Sequence, residues 1–407
     1  MKILAVSWWM PPLPSPRSFQ VSRTVKSWRQ AGHDVSVFCL DPDSVRYRKD
    51  ARLLEAYQAS IKFERIRAGE NRFYGSLLWK AAPLLRLWQE QRGWVSLVSQ
   101  AVIQAAADSR PDLIITFGQP WIDHLAGYKI REKSDIPWVA HFSDPWTDSP
   151  FARYGLVSRR INRTQERKVV ESADVIAFTN TYTRDLMMYK YSPDLKAKTF
   201  AIPHSFDPDL YGGNGPSTDS PLVIRHIGSL YGNRTPEPLF LALQKLIRTD
   251  TDALQGVAFE FVGPVQEKFL DSEALRSLPE GLVRFQNSVG YLESLEMMAG
   301  SHGLLVIDAA AETNIFLPSK LIDYVGAARP VFGITPAGPS ADLIKALGGE
   351  VSDPSEPSAV AESLKRYLAE LRERDSAKPW GVESVREGFR AGQVAEAFLG
   401  EILSRII

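Results

Sequence analysis

The chain has 407 residues, 44% apolar and 24% charged, and its 48 basic and 48 acidic side chains cancel to a formal net charge of zero. That length exceeds one ordinary hydrophobic core and predicts two domains, and the balanced charge gives no footing for nucleic acid. A single cysteine, Cys39, excludes an internal disulfide and predicts a reducing compartment. No run reaches the ~18 consecutive apolar residues of a membrane span, and Met1 leads into a strand without a signal-peptide pattern, so a cytoplasmic location is the expectation.

Short apolar runs alternate with amphipathic stretches, the pattern of βαβ units and a parallel sheet. Strands are predicted at Lys2–Ser7, Val35–Leu40, Ile61–Ile66, Leu113–Phe117, Trp138–Phe142, Val175–Thr179 and Thr199–Ile202. Between them, helices are predicted near Ser18–Gln30, Tyr74–Ala107, His124–Glu132, Arg159–Glu171 and Thr183–Tyr189. The long Tyr74–Ala107 stretch mixes Trp79, Leu84, Leu85, Leu87, Trp88, Trp94 and Val95 with Lys80, Arg86 and Arg92. It reads as a helix pair packed on the sheet, with peripheral contact to the inner face of a membrane as the alternative. Pro208–Pro221 has linker composition, rich in Gly, Ser, Asp and Pro. Alternation then resumes with strands at Leu222–Ile227, Val257–Val262, Leu282–Phe285, Gly303–Ile307, Val331–Gly333 and near Val351. Helices are predicted at Pro236–Arg248, Tyr291–Ala299, Lys320–Ala328, Ser340–Leu347, Ala359–Leu371 and Val385–Leu403. The expected organisation is a domain at 1–207, a linker at 208–221, a second domain at 222–384, and a last helix within 385–407. Two doubly wound domains would put ligands at their strand ends, facing a central cleft.

The segment 317–330, Leu-Pro-Ser-Lys-Leu-Ile-Asp-Tyr-Val-Gly-Ala-Ala-Arg-Pro, follows an apolar strand and reads as a helix start with Pro318 at its opening. The unpaired N–H groups of a helix start carry partial positive charge and suit a phosphate. Lys320 adds a full charge beside Ser319, and Asp323 sits about one turn on, where a carboxylate can bridge two hydroxyls. A diphosphate at the tip with a ribose below it is one ligand that fits, and a solvated Lys–Asp pair is the bland reading. Earlier in this half, Gly228-Ser229-Leu230-Tyr231 closes a strand and Arg234 follows. Glycine there lets a phosphate approach the backbone, and arginine can clamp it with two parallel hydrogen bonds.

These residues resemble the donor-site motif of retaining GT-B glycosyltransferases, specifically glycosyltransferase family 4, with matches at Pro318, Ser319, Lys320, Asp323, Tyr324, Arg329 and Pro330. The resemblance covers nearly the whole chain. Its other stretches, in order, are Met1–Ser7 with Pro11-Pro12, Ala31–Val35, Pro111–Ile114, Ile136–Trp138 through Asp144–Trp146, Ala173–Ile176, Ile202–Asp207 and Gly228–Leu230. It implies an α/β GT-B fold of two Rossmann-like domains, with a terminal helix crossing back to the first. It further implies transfer of a sugar from a nucleotide diphosphate donor, UDP before GDP, to a hydroxyl of a glycan or lipid-linked acceptor in cell-surface or exopolysaccharide synthesis. Retention of configuration and independence of metal and cofactor also follow from it, the leaving phosphate itself helping to deprotonate the acceptor.

By the same resemblance Pro318, Ser319, Lys320, Leu321, Asp323, Gly228, Ser229 and Arg234 hold the donor, and the backbone at Val289-Gly290 meets the base. Arg234 and Lys320 stabilise the departing charge, while Asp144 first and His141 second supply the polar group near the reacting sugar. Arg17 and Ser18 lie on the acceptor side. The chain departs from the family at Ser229, where arginine is usual, and at Ile315, in the register of a glutamate to which Glu312 does not correspond. It departs again at Leu13–Arg17, which replaces a Gly-Gly loop. Asp308, directly after a strand, either touches the donor sugar or caps its turn. The triplets Asp41-Pro42-Asp43 and Asp207-Pro208-Asp209 read as turns rather than a metal site. No dinucleotide, P-loop, zinc or nucleophile-elbow pattern is present. A sugar-nucleotide epimerase of the same fold and a non-catalytic nucleotide-binding scaffold remain as alternatives.

Overall fold

The computed structural model describes residues 1–68, 83–151, 154–212, 215–216 and 221–406, with the backbone alone at 83–92. Strand β1 (Lys2–Ser7) is buried from Ile3 onward, as expected of a run without polar alternation that is covered on both faces. With β2 (Asp34–Leu40), β3 (Lys62–Ile66), β4 (Leu113–Gly118), β5 (Trp138–Phe142), β6 (Val175–Phe178) and β7 (Thr199–Ala201) it forms a parallel sheet in the order β3-β2-β1-β4-β5-β6-β7. A second parallel sheet orders β8 (Leu222–Ile227), β9 (Val257–Val262), β10 (Val283–Gln286), β11 (Gly303–Ile307), β12 (Val331–Ile334) and β13 (Glu350–Ser352) as β10-β9-β8-β11-β12-β13. The order reverses between β1 and β4 in one sheet and between β8 and β11 in the other. Ligands of such sheets bind beyond the carboxyl ends at that reversal.

The chain divides into two units, Met1–His204 with Ala391–Ile407, and Ser205–Arg390. Tryptophans fill the first core. Trp8, Trp94, Trp138 and Trp146 are each at most 1% exposed, and Trp8 meets Trp94 edge-on at 5.0 Å. Phenylalanines and a tyrosine fill the second, with Phe240, Phe259, Phe261, Phe332 and Tyr367 all buried. Cys39 lies inside β2, where burial pushes its thiol up to about 12 although Arg65 Nη1 approaches the sulfur at 3.3 Å.

Element boundaries differ from expectation in a few places. The last helix is two, Glu383–Glu387 and Ala391–Ile406. Between them Phe389 leaves the helical path and its carbonyl accepts from Phe206 N at 2.9 Å, in a short parallel bridge of Phe206 with Arg390. The Ala391–Ile406 helix packs on the Pro16–Gln30 helix of the first unit, with Trp28 Nε1 donating to Ala395 O at 2.8 Å and Phe398 5.4 Å from the Trp28 ring. The terminal helix therefore returns to the first unit, as the resemblance implies. A helix at Ala51–Gln58 was not expected. It turns only Leu53 and Tyr57 inward, and Asp50 caps it by accepting from Leu53 N at 3.2 Å. The expected Tyr74–Ala107 helix is seen from Pro83 to Ser109. Residues 69–82, with Trp79 and Lys80, lie outside the described residues, as do the side chains of Leu84, Leu85, Arg86, Leu87, Trp88 and Arg92. In the expected linker, 213–214 and 217–220 also lie outside them.

Candidate functional site

At the reversal of the second sheet, β8 ends in Gly228 with φ +138°, and β9 ends beside it in Gly263 with φ +127°. A β-carbon on Gly263 would stand 2.8 Å from the Gly228 carbonyl oxygen, so the two strand ends can meet only because Gly263 has no side chain. The space left at Gly228 is faced by Lys320, whose Nζ would lie 3.6 Å from a β-carbon there.

Lys320 occupies the first turn of the Ser319–Ala327 helix. Pro318 stands at the cap in extended backbone and supplies no side-chain cap, and Leu321 N turns back to the Pro318 carbonyl at 3.0 Å. The Ser319 and Lys320 N–H groups therefore have no acceptor a turn behind them, which is the electropositive end expected from the sequence. The Leu321 side chain is fully buried in the core, so this residue offers the site its backbone only. Ser229 lies half-buried in the turn after Gly228.

Lys320 Nζ lies 3.1 Å from His226 Nε2, and His226 Nδ1 lies 3.0 Å from Leu305 O. A carbonyl can only accept, so Nδ1 carries the hydrogen and Nε2 receives that of the amine. Burial, then the charge of Lys320, hold His226 neutral and well below the usual imidazole range. Burial and the neighbouring Arg234 in turn lower the Lys320 amine to about 7, against the opposing pull of Asp308.

Arg234 Nη2 stands 3.6 Å from Asp308 Oδ1. Asp308, immediately after β11, is buried, and its Oδ2 accepts from Asn314 Nδ2 and Thr335 Oγ1, each at 3.0 Å. Asp308 Oδ1 and Arg234 Nε are buried without a hydrogen bond. One turn along the helix Asp323, 5% exposed, accepts from Tyr291 Oη at 3.3 Å, and its own carbonyl accepts from Tyr211 Oη at 3.0 Å. Tyr291 opens the Tyr291–Ala299 helix directly after Gly290, so the Val289-Gly290 turn is brought next to Asp323. Tyr324 fastens this helix to the sheet, accepting from Ile227 N at 2.9 Å.

The first unit assembles a separate group at the carboxyl ends of β1, β4 and β5. Arg17 is 5% exposed in the opening turn of the Pro16–Gln30 helix. Its Nη1 donates to His141 Nδ1 at 3.2 Å and its Nη2 to Ser143 Oγ, which passes a hydrogen to Asp144 Oδ2 at 2.7 Å. Burial lowers Arg17 to about 10 although Asp144 and then Asp123 oppose it. Burial, then Arg17, keep His141 neutral, and the same two causes lower His124 to about 3. Asp123, accepting from Trp8 N at 3.0 Å, is held well above the usual carboxyl range by burial. Arg17 thus joins His141 directly and Asp144 through Ser143. Ser18 is fully buried and its hydroxyl has no hydrogen-bond partner, so this side chain faces the interior rather than an acceptor.

Sequence reasoning passed over His226, Asn314, Thr335, Asp123 and His124, and gave the Tyr291 side chain no role. Only His226 left a signal, a polar residue two before the strand-end glycine. The Asp41 and Asp207 triplets fold as turns in which the first carboxylate accepts from the N–H two residues on, at 3.0 and 3.2 Å.

Over 18–200 the chain matches the model of the glycosyl transferase 4-like domain. No curated protein matches it by sequence. Among solved structures it is similar to Anabaena HepE in complex with UDP and glucose, at 16% identity and a TM-score of 0.65, covering 99% of this chain and 100% of that one. It is similar to sucrose-phosphate synthase from Thermosynechococcus elongatus at 16% identity and a TM-score of 0.67, covering 100% and 98%. A putative UDP-N-acetylglucosamine 2-epimerase from Listeria monocytogenes follows at 11% and 0.60, covering 100% and 96%. Residues 18–200 thus resemble a glycosyl transferase 4-like domain, and along its whole length the chain has the GT-B fold.

Proposed function

We propose that the protein transfers a sugar from a nucleotide diphosphate donor, a UDP-sugar before a GDP-sugar, to an acceptor hydroxyl with retention of configuration, in the assembly of a cell-surface glycan. The observation that carries this reading is the convergence of Lys320, Arg234 and the open start of the Ser319–Ala327 helix at the reversal of the second sheet, with Asp323 one turn below. Three positive elements around a glycine-lined gap suit a diphosphate and stabilise the charge that gathers on it as the sugar departs. Asp323, held against Tyr291, receives the ribose hydroxyls, and the Val289-Gly290 backbone adjoins the base. In the first unit Asp144, oriented through Ser143 by Arg17, is the acceptor-side polar group. The leaving phosphate takes the acceptor proton, so no side-chain base is required in this scheme.

Calorimetric titration with UDP and with GDP tests the donor site. UDP is expected to bind the more tightly, and Asp323→Ala to weaken it 10- to 100-fold, the order expected for one hydrogen bond to a charged group of about 1.5–3 kcal/mol. If neither nucleotide binds, or the variant binds UDP like the parent, the donor assignment falls. An epimerase would consume the donor without any acceptor, and an acceptor-dependence assay separates it from transfer.

A further inference from the structure

Beyond β5 the chain turns through Pro145 and Trp146 before entering the Leu156–Ser172 helix. A pocket of about 690 Å³ opens there, walled by Trp121, Leu125, Trp146, Tyr154 and Ile161. Trp121 and Trp146 stack 5.1 Å apart along one wall. The rim continues into apolar side chains open to solvent, Leu156 at 90%, Val157 at 74% and Ile161 at 52% exposure. Outward apolar groups are costly in water, and three on one and a half turns, beside an aromatic pocket, call for a partner.

The helix that carries them is anchored by its inner face. Val169 and Val170 are buried in the core, and the buried carboxylate of Glu166 accepts from Thr147 N and Oγ1 and pairs with Lys190. The outer face bears Arg160, Arg163, Arg167 and Lys168, all exposed, with Arg159 at its edge. None of these five cations has an ion-pair partner among the described residues. In a chain of zero net charge this is a local concentration of one sign. An apolar tip continued by a cationic shaft on the same helix face matches a bilayer surface, where apolar groups enter the headgroup boundary and cations meet anionic lipid.

We propose that this end of the first unit docks on an anionic membrane surface, Leu156, Val157 and Ile161 entering the headgroup layer while Arg160, Arg163, Arg167 and Lys168 lie along it. Docking brings the Trp121–Trp146 pocket to headgroup level, where an acceptor carried on a lipid is presented. That last clause rests on the glycosyl transfer proposed above; the docking does not.

The test is co-sedimentation of the full chain with vesicles of phosphatidylcholine, with and without one third phosphatidylglycerol. Binding is expected on the anionic vesicles alone and should weaken as salt rises. The triple variant Leu156→Ser, Val157→Ser, Ile161→Ser is expected to fall to the level of neutral vesicles. The triple variant Arg160→Gln, Arg163→Gln, Arg167→Gln should lose about 100-fold in partitioning, at about 1 kcal/mol per surface cation. These side chains are exposed, so circular dichroism and melting should match the parent. Absence of binding to anionic vesicles overturns the proposal, as does binding that neither variant changes. So does an apolar variant whose one effect is to dissolve a dimer in size-exclusion chromatography, which would assign the face to a second copy of the chain. A UDP titration of the same preparations distinguishes failure of the donor site from failure of docking, since no residue changed here lies in the second unit.

Discussion

Lys320 sits at the crossing of two demands. Its amine is buried beside Arg234, which lowers it to about 7, yet a diphosphate at the helix start would favour the charged form. UDP binding should therefore take up a proton, and affinity should fall as pH rises from 6 to 8. Calorimetry at both ends of that range, in buffers of different ionisation enthalpy, checks the sign, and Lys320→Gln should flatten the dependence. Without ligand the sign reverses for folding. Between pH 7 and the ordinary 10.5 the unfolded chain holds the proton that the folded one has lost, so stability contributed by this group rises with pH across that window. Asp308 poses a different question, because it satisfies Asn314 and Thr335 with one oxygen and stands near Arg234 with the other. Asp308→Ala would leave the half-buried Arg234 guanidinium without its counter-charge and two buried donors, Asn314 and Thr335, without their acceptor. A loss of about 3–5 kcal/mol is expected, read from urea unfolding.

At the scale of elements, the donor site depends on how closely β8 and β9 finish. Gly263→Ala would force a β-carbon against the Gly228 carbonyl in a backbone region that L side chains rarely adopt. The strain should cost about 1–3 kcal/mol in stability and displace the Gly228 turn, weakening UDP binding in the same calorimetric assay. The Ser319–Ala327 helix was legible because its signals are local, a proline at the opening and apolar residues at helical spacing behind it. The partners of that helix were not legible. His226 lies in a strand whose Arg225-His226 pair reads merely as polar interruption, and its bond to Lys320 spans 94 residues. The Asp323–Tyr291 contact likewise joins two helices that no local pattern relates. Short elements such as Ala51–Gln58 escaped because two inward residues are too few to make a period.

For the molecule as a whole, the doubly wound architecture was readable twice over, because strands buried on both faces leave continuous apolar runs separated by amphipathic stretches. What the pattern could not carry is where the chain returns. Ala391–Ile406 completes the first unit through Trp28, Phe200 and Phe398, although nearly two hundred residues of the second unit intervene. Phe398→Ala should cost about 3–5 kcal/mol. By differential scanning calorimetry the transition of the first unit should move down by several degrees while that of the second stays in place. The buried state of Cys39 has a practical corollary. Its sulfur is enclosed and its thiol is raised to about 12, so at neutral pH it is almost wholly protonated and out of reach of alkylating reagents. The native chain is therefore silent to maleimides without any engineering. A single Ile161→Cys or Val157→Cys replacement would give a fluorophore one address, from which the approach of this face to a bilayer can be followed in real time.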